Sequence, residues 1–258
     1  MTIDQLFDIA LRNMEVTLHA LEKRVSPPKA IPFKDGFVYR YTEKTIHQAL
    51  VQKLARVVTG LHAARILFEY GFVQEQSALH RIIDEFQEDI SFLAYAVITD
   101  EITELHRQYL SAFYEEEFDN PESPIESTQK RLMVSRKKIR AYIARIEKPV
   151  ADQSKGIELS RTVHKAYSGF VHGASPAIMD MYDGGTSPGF LVGGMLGTIR
   201  MTEYREDLWN YFYRGILAFS FVAMAFGDEV LNNSIRAFRD EFEKQSGKGY
   251  AASTRTVT

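Results

Sequence analysis

The sequence predicts an all-α fold, a single-domain bundle of about seven helices with one irregular, hairpin-containing insertion at about 173–197. Apolar residues recur at intervals of three and four, as on the packed face of a helix. The pattern is clearest over 74–98, where the apolar positions are Leu79, Ile82, Ile83, Phe86, Ile90, Leu93 and Val97. With no internal repeat and no shift in composition, we expect one domain over 1–245 and a disordered tail over 246–258.

The composition is ordinary for a globular protein and excludes several kinds of chemistry. Hydrophobic residues make up 45% of the 258 residues and charged residues 25%, and the formal net charge is −3. Such a charge favours no particular partner. There is no cysteine, which excludes disulfides, thiolate catalysis and cysteine-ligated metals, and which fits a cytoplasmic location.

The helices are predicted from periodicity and from the residues that break it. Proline at 27, 28 and 32 ends the first helix, and the segment "FVYRY" at 37–41 is expected to be extended. Thr42 is a candidate cap for the second helix, which Gly71 would end. The predicted helices cover 3–24, 42–70, 74–98, 101–118, 127–147, 154–172 and 200–243.

The last third of the chain differs from the rest. Two short apolar pieces in 177–194 flank a turn rich in glycine, serine and proline, which predicts a hairpin or an ordered excursion. The long helical region after it is expected to bend near Gly227. The most apolar run, 215–226, is too short to span a bilayer and reads as a central helix or a dimer interface, so no membrane association is expected.

The sixth predicted helix separates an apolar face from a polar stripe. On a helical wheel, Tyr167 and Phe170 share the apolar face. Lys165, Ser168 and His172 lie on the opposite side, with His172 at the helix end. This stripe has two explanations. It is a solvated face, with a cationic His172 imidazole favoured by the negative end of the helix dipole, or it lines a cleft in which Ser168 orients His172.

Two stretches resemble a known superfamily. "KAYSGFVHG" and the helix pair around "EYGFVQEQSALHRIIDEFQEDISFLAYAV" look like bacterial helical proteins related to the HEPN superfamily (higher-eukaryote and prokaryote nucleotide-binding domains). The resemblance covers roughly 50–98 and 155–175. It implies an α-helical bundle that pairs with a second copy. Many HEPN proteins are metal-independent ribonucleases with an Arg-x4–6-His motif at the dimer interface.

The resemblance implies roles for individual residues. His172 would move protons during attack by a ribose 2′-hydroxyl, while a cation would stabilise the charged phosphorane. This chain has Lys165 in place of arginine, with six residues between it and His172, and lysine lacks the bidentate fork. Ser168 and Arg81, the latter from another helix, would help to bind phosphate. A phosphate- or nucleotide-binding site and a structural remnant are the alternatives.

A polar stripe also runs along the third helix. Arg81 and Glu85 are spaced i,i+4, as in an ion pair on one helix face. Phe92 and Tyr95 continue the same stripe, which predicts that the face is partly covered and that the pair supports a cleft. A solvated face is the alternative.

Metal binding is not predicted, although three possible ligands lie four residues apart on the third helix. His80 and Asp84 are four residues apart, and Glu88 follows at the same interval. The chain has no H-E-x-x-H sequence, and its glycine-rich segment lacks the phosphate-loop patterns. We therefore expect neither a metal nor a cofactor.

The fifth predicted helix is strongly basic. Segment 130–148 contains eight basic residues and one acid, while 115–126 contains six acids and no base. Arg136, Lys137 and Arg140 are the candidate contacts to RNA or a nucleotide. Alternatively, the acidic segment folds back on this helix, or the helix presents a solvated face.

Two functions follow from the sequence. One is a HEPN-like, metal-independent endoribonuclease or nucleotide-binding protein of a bacterial defence or stress system, with a homodimer as its working form. The other is a non-catalytic helical binding or scaffold module, in which the same residues hold the bundle together. The polar stripe and the basic helix favour the first, and the missing arginine favours the second.

Overall fold

A computed structural model describes residues 1–120, 122–128, 133–147 and 167–249. They form an all-α bundle with two small β-hairpins, which confirms the predicted fold class. Residues 167–172 are helical and are called α6. The other helices are α1 (Ile3–Glu22), α2 (Ile46–Glu69), α3 (Val73–Ile98), α4 (Glu104–Tyr114), α5 (Arg136–Ile146), α7 (Ser175–Met179), α8 (Arg200–Ala225) and α9 (Glu229–Ser246).

Helices α2, α3 and α8 form the centre of the bundle. Each packs against the other two, α1 and α9 cover α8, and α5 lies against α3. Large apolar side chains fill the space between them, among them Phe7, Leu50, Leu54, Phe92, Phe212 and Phe219. The apolar run in α8 is therefore a central helix. Neither α8 nor any other helix in the described part of the chain has the long uncharged stretch that a bilayer-spanning segment needs.

Three helices begin at a threonine that caps them. Thr2, Thr45 and Thr103 each exchange bonds with the third residue of the helix that follows, which satisfies otherwise unpaired backbone N–H groups. The prediction that Thr42 caps the second helix was wrong, because Gln48 completes a capping box with Thr45 instead. The predicted start of the fourth helix at residue 101 was also early, because Thr103 caps α4, which begins at Glu104.

The fifth helix is shorter than predicted. It was expected over 127–147 but begins at Arg136, because Ser135 has an extended backbone (ψ 138°). A single 3₁₀ turn at Pro124–Glu126 precedes it. Of the predicted sixth helix, 154–166 lies outside the described residues.

An exposed hairpin joins α1 to α2. Strands β1 (Lys29–Phe33) and β2 (Gly36–Arg40) pair antiparallel, with Pro32 opposite Phe37. The extended segment was predicted, but its partner strand was not, because proline counts against a strand.

The insertion contains α7 and a second hairpin, β3 (Tyr182–Asp183) with β4 (Gly189–Phe190), as predicted. Its last part is fixed to the α2–α3 corner, where the Met195 N–H donates to the Gly71 carbonyl at 2.8 Å. The predicted bend near Gly227 is a full break between α8 and α9. Gly227 adopts φ +66°, a conformation that favours glycine.

Candidate functional site

Among the described residues, most of the buried polar and charged side chains lie on α3. Its carboxylates meet cations from α2, α3 and α5 in an arrangement that we call the α3–α5 network. The members of this network are Lys53, Arg81, Glu85, Glu88, Asp89, Arg136 and Arg140.

Asp89 lies at the centre of this network. Its side chain is 1% exposed, and it accepts hydrogen bonds from Lys53 Nζ at 2.7 Å and from Arg136 Nη1 at 2.5 Å. Burial and the nearby Asp89 carboxylate together raise the pKa of Tyr109. A carboxylate this deeply buried persists because two cations offset its loss of hydration.

The neighbouring carboxylates are neutralised in the same way. Arg81 Nη2 lies 2.7 Å from Glu85 Oε1, so the structure contains the ion pair that the spacing suggested. Arg136 also reaches Glu85 at 3.4 Å, and Arg140 Nε lies 2.7 Å from Glu88 Oε1. The alternative of a fully solvated face therefore does not describe this part of α3.

The network determines how α5 faces the rest of the protein. Arg136 and Arg140, two of the candidate RNA contacts, bind carboxylates of α3, whereas Lys137 is exposed. Burial works to lower the pKa of Arg136, but Asp89 and Glu85 outweigh burial and raise it. The predicted acidic partner of the basic helix thus exists, but α3 supplies these carboxylates rather than the 115–126 segment.

A second polar cluster joins the N-terminal half of α3 to α8. Asp84 forms an ion pair with Arg214, and the two groups come from different helices. His80, fully buried, stacks on Tyr211 with ring centroids 4.0 Å apart and meets Tyr167 edge-on. Gln76 donates to the Tyr204 carbonyl at 3.2 Å.

His80 is held uncharged in this cluster. Burial, with a smaller effect of the Arg214 cation, lowers its pKa to about 3. Among the described residues its Nδ1 atom has no hydrogen-bond partner. A neutral, enclosed imidazole cannot exchange protons with a substrate at physiological pH.

The two carboxylates considered as metal ligands form ion pairs with arginines. Asp84 binds Arg214, and Glu88 binds Arg140. In the described ranges no three His, Asp or Glu side chains are grouped so that they could hold an ion. His80 and Asp84 serve packing between α3 and α8 instead.

His172 lies at the end of α6 with its side chain exposed, and Gly173 follows with φ +62°. Ser168, one turn earlier, is half-buried, and Lys165 lies outside the described residues. Within the described ranges, His172 has no hydrogen bond or ion pair to another side chain, and Arg81 pairs with Glu85 instead. The cleft that would bring these four residues together stays a prediction.

Exposed apolar side chains recur along residues 171–199, in and beside the insertion, and we call this set the insertion face. Val192 and Ile199 are 80% and 88% exposed. Between residues 167 and 199 the chain has no lysine or arginine, and Asp180 and Asp183 are its only acids. The exposed apolar residues of this face are Val171, Ile178, Met179, Tyr182, Phe190, Val192, Leu196 and Ile199.

Sequence reasoning missed several residues of both clusters. Lys53, Asp89, Tyr211 and Arg214 were not singled out. The last three bond or stack with residues that were considered, and Lys53 bonds Asp89. One signal was available, because Asp89 adjoins Ile90 in an apolar stripe and a charge there needs a partner. The identity of that partner depends on how α2 and α5 pack.

Comparisons of the chain with protein-family models, with curated proteins and with solved structures give no match.

Proposed function

We propose that this protein is a non-catalytic helical binding module that works in the cytoplasm and pairs with a second copy of itself through the insertion face. The observation that carries this proposal is the set of exposed apolar residues, poor in charges, that makes up that face. A HEPN-like relationship is part of the proposal and rests on the sequence resemblance.

The composition of the insertion face favours a protein partner. Exposed apolar patches of this kind occur at binding sites more often than on free surfaces. The centres of protein interfaces are poor in charges and rich in aromatic residues and methionine, as Tyr182, Phe190 and Met179 illustrate here. The absence of lysine and arginine from 167–199 argues against nucleic acid at this face.

The α3–α5 network supports a structural role for the charged residues. Arg136 and Arg140 are bound to α3, so they are not available for phosphates unless α5 leaves its place. Arg81 is likewise held by Glu85. These residues stabilise the bundle and leave recognition to its surface.

The test is the oligomeric state in solution, measured by analytical ultracentrifugation. We expect the wild-type chain to dimerise and Val192→Glu to raise the dimer dissociation constant more than tenfold, because a charge would be buried at the contact. Val230→Glu is the matched control, since Val230 is 82% exposed on α9, outside the insertion face. A monomeric wild type, or equal effects of the two substitutions, would refute the proposal.

A second function, metal-independent RNA cleavage, is favoured by one observation. The His172 imidazole is exposed and makes no bond with the described residues, as an acid–base group open to substrate must be. In this version Lys165, Ser168 and Arg81 assist with phosphate. The test compares RNA cleavage by wild type and His172→Ala in the presence of a chelator. Loss of cleavage in the variant supports catalysis, whereas equal rates exclude His172.

A further inference from the structure

The β1–β2 hairpin stands away from the bundle. All five residues of β1 are exposed, and β2 is exposed apart from the half-buried Val38. A two-stranded hairpin with no third element on either face is marginally stable by itself. Its order must therefore come from the way its ends are held.

Both ends of the hairpin are attached to the helices. Buried Gln48 donates to the Ser26 carbonyl before β1. At the end of β2, Arg40 Nη2 lies 2.9 Å from Glu116 Oε2, and beyond the strand the Tyr114 hydroxyl donates to the Thr45 carbonyl at 2.7 Å. The bundle thus presents the hairpin on a fixed base.

The strand register shows which backbone groups face outward. Residue pairs of an antiparallel ladder alternate between hydrogen-bonded and non-hydrogen-bonded. Pro32 has no N–H, so its pair with Phe37 is of the second kind, and Ala30 with Tyr39 is too. The N–H groups of Phe37 and Tyr39 therefore point away from β1.

The two edges of the hairpin consequently differ. The outer edge of β1 is interrupted at Pro32, as at strand edges that do not accept a further strand. The outer edge of β2 offers the N–H groups of Phe37 and Tyr39 together with the Phe37 carbonyl. Arg40 already donates to the Tyr39 carbonyl at 2.9 Å. Strand addition is thus possible at β2 and obstructed at β1.

Side chains around β2 indicate the chemistry of the partner. Phe37 and Tyr39 are 60% and 62% exposed on one face, and their rings meet edge-to-face with centroids 5.3 Å apart. Segment 23–44 contains six basic residues and two acids, although the whole chain has a net charge of −3. Arg40 holds the Glu116 carboxylate at this hairpin with two hydrogen bonds. Carboxylates and apolar side chains are therefore the complementary groups.

We propose that the outer edge of β2 takes up an extended, acidic peptide segment of a partner protein as a third strand. The N–H groups of Phe37 and Tyr39 bind its backbone, and their rings cover its apolar side chains. Lysines flanking the strand, such as Lys34 and Lys44, attract its carboxylates. A single-stranded nucleic acid fits less well, because it has no backbone pattern that pairs with a strand edge.

The test uses a fluorescein-labelled peptide of alternating glutamate and valine and measures its binding by fluorescence anisotropy. Tyr39→Pro removes the ring and the outward N–H, whereas Tyr39→Val removes the ring alone. We expect the wild type to bind the peptide and the proline variant to bind about tenfold more weakly than the valine variant. Ala30→Pro, on the other edge, should bind as the wild type does.

Three results would overturn the proposal. The first is that the proline and valine variants bind the glutamate–valine peptide equally well. The second is that the wild type binds a lysine–valine peptide as tightly as the glutamate–valine peptide, and the third is that it binds oligouridylate more tightly than either peptide. Amide hydrogen exchange on the wild type tests strand addition without using variants, so it does not depend on whether the variants fold. The Phe37 and Tyr39 amides should exchange more slowly with saturating glutamate–valine peptide, and unchanged rates would refute strand addition.

Discussion

Arg136 of α5 and Asp89 of α3 form an ion pair with an Nη1–Oδ1 distance of 2.5 Å, and the carboxylate is almost fully buried. Arg136 was expected to face a nucleic acid, but it faces the interior. The pair fixes the orientation of α5, and the first two of the following expectations depend on that orientation.

Neutralising Asp89 should destabilise the protein strongly. Asp89→Asn leaves Lys53 and Arg136 without their shared carboxylate, and removing one partner from a buried pair costs about 3–5 kcal/mol of unfolding free energy. Urea unfolding measures this loss. Glu104→Gln is the control, because the exposed Glu104–Arg107 pair should contribute less than about 1 kcal/mol. Similar losses in both variants would contradict the central position of Asp89.

Substitutions of two basic residues of α5 should differ in their effect on the unfolding free energy. Arg140→Gln removes the partner of Glu88 in a mostly buried pair and should lower the unfolding free energy by about 3–5 kcal/mol. Lys137→Gln changes an exposed side chain and should stay within about 0.5 kcal/mol of wild type. Thermal unfolding compares the two variants. Equal stability would mean that α5 presents a solvated face.

Stability should fall in mild acid because of His80. Its pKa is lowered to about 3 in the folded state, so between pH 6.5 and 3 the unfolded chain binds a proton that the folded chain excludes. The unfolding free energy then rises with pH by up to about 1.4 kcal/mol per unit in this window. Tyr211, Arg214 and Tyr167 surround the ring.

Unfolding in urea at a series of pH values tests this dependence. His80→Gln should show a smaller slope between pH 6 and 4 than the wild type, whatever its absolute stability. His19→Gln, at an exposed site on α1, is the control and should keep the wild-type slope. An unchanged slope in His80→Gln would remove His80 as the cause.

Gly60 should tolerate alanine less well than Gly215 does. A Cβ at Gly60 would lie 2.8 Å from Cγ1 of Ile83, where α2 and α3 approach closely, so we expect a loss of about 1–3 kcal/mol. At Gly215 the nearest atoms are the terminal methyl groups of Leu61 and Met14, which can shift by rotation of their side chains, and the better helix propensity of alanine, about 1 kcal/mol, offsets the crowding. Urea unfolding distinguishes them, and a Gly60→Ala variant as stable as wild type would contradict the close approach.

The helices could be predicted because each carries its own periodic pattern. Their starts were less accessible. Thr42 and Thr45 are equally good caps by type, and Gln48, three residues beyond Thr45, decides between them. Strand β1 was hidden because Pro32, which counts against a central strand, is tolerated on an exposed edge.

The site was predictable only within single helices. The spacing of Arg81 and Glu85 suggested their ion pair because both residues lie on α3. The partners of Asp89 come from α2 and α5, and Arg214 reaches Asp84 from α8. Such contacts depend on how helices far apart in sequence pack, which periodicity does not specify.

The packing of α1 has a consequence for synthesis on the ribosome. Phe7 stacks on Phe212 of α8 with centroids 4.3 Å apart and lies 6.3 Å from Phe242 of α9. The nascent chain exposes α1 long before either partner has been translated. Helices α1, α2 and α3 pack in sequence order and can pair early, whereas the part of α1 around Phe7 stays exposed until α8 and α9 have been made. Incomplete translation products of this protein would therefore expose apolar surface, aggregate readily and bind chaperones.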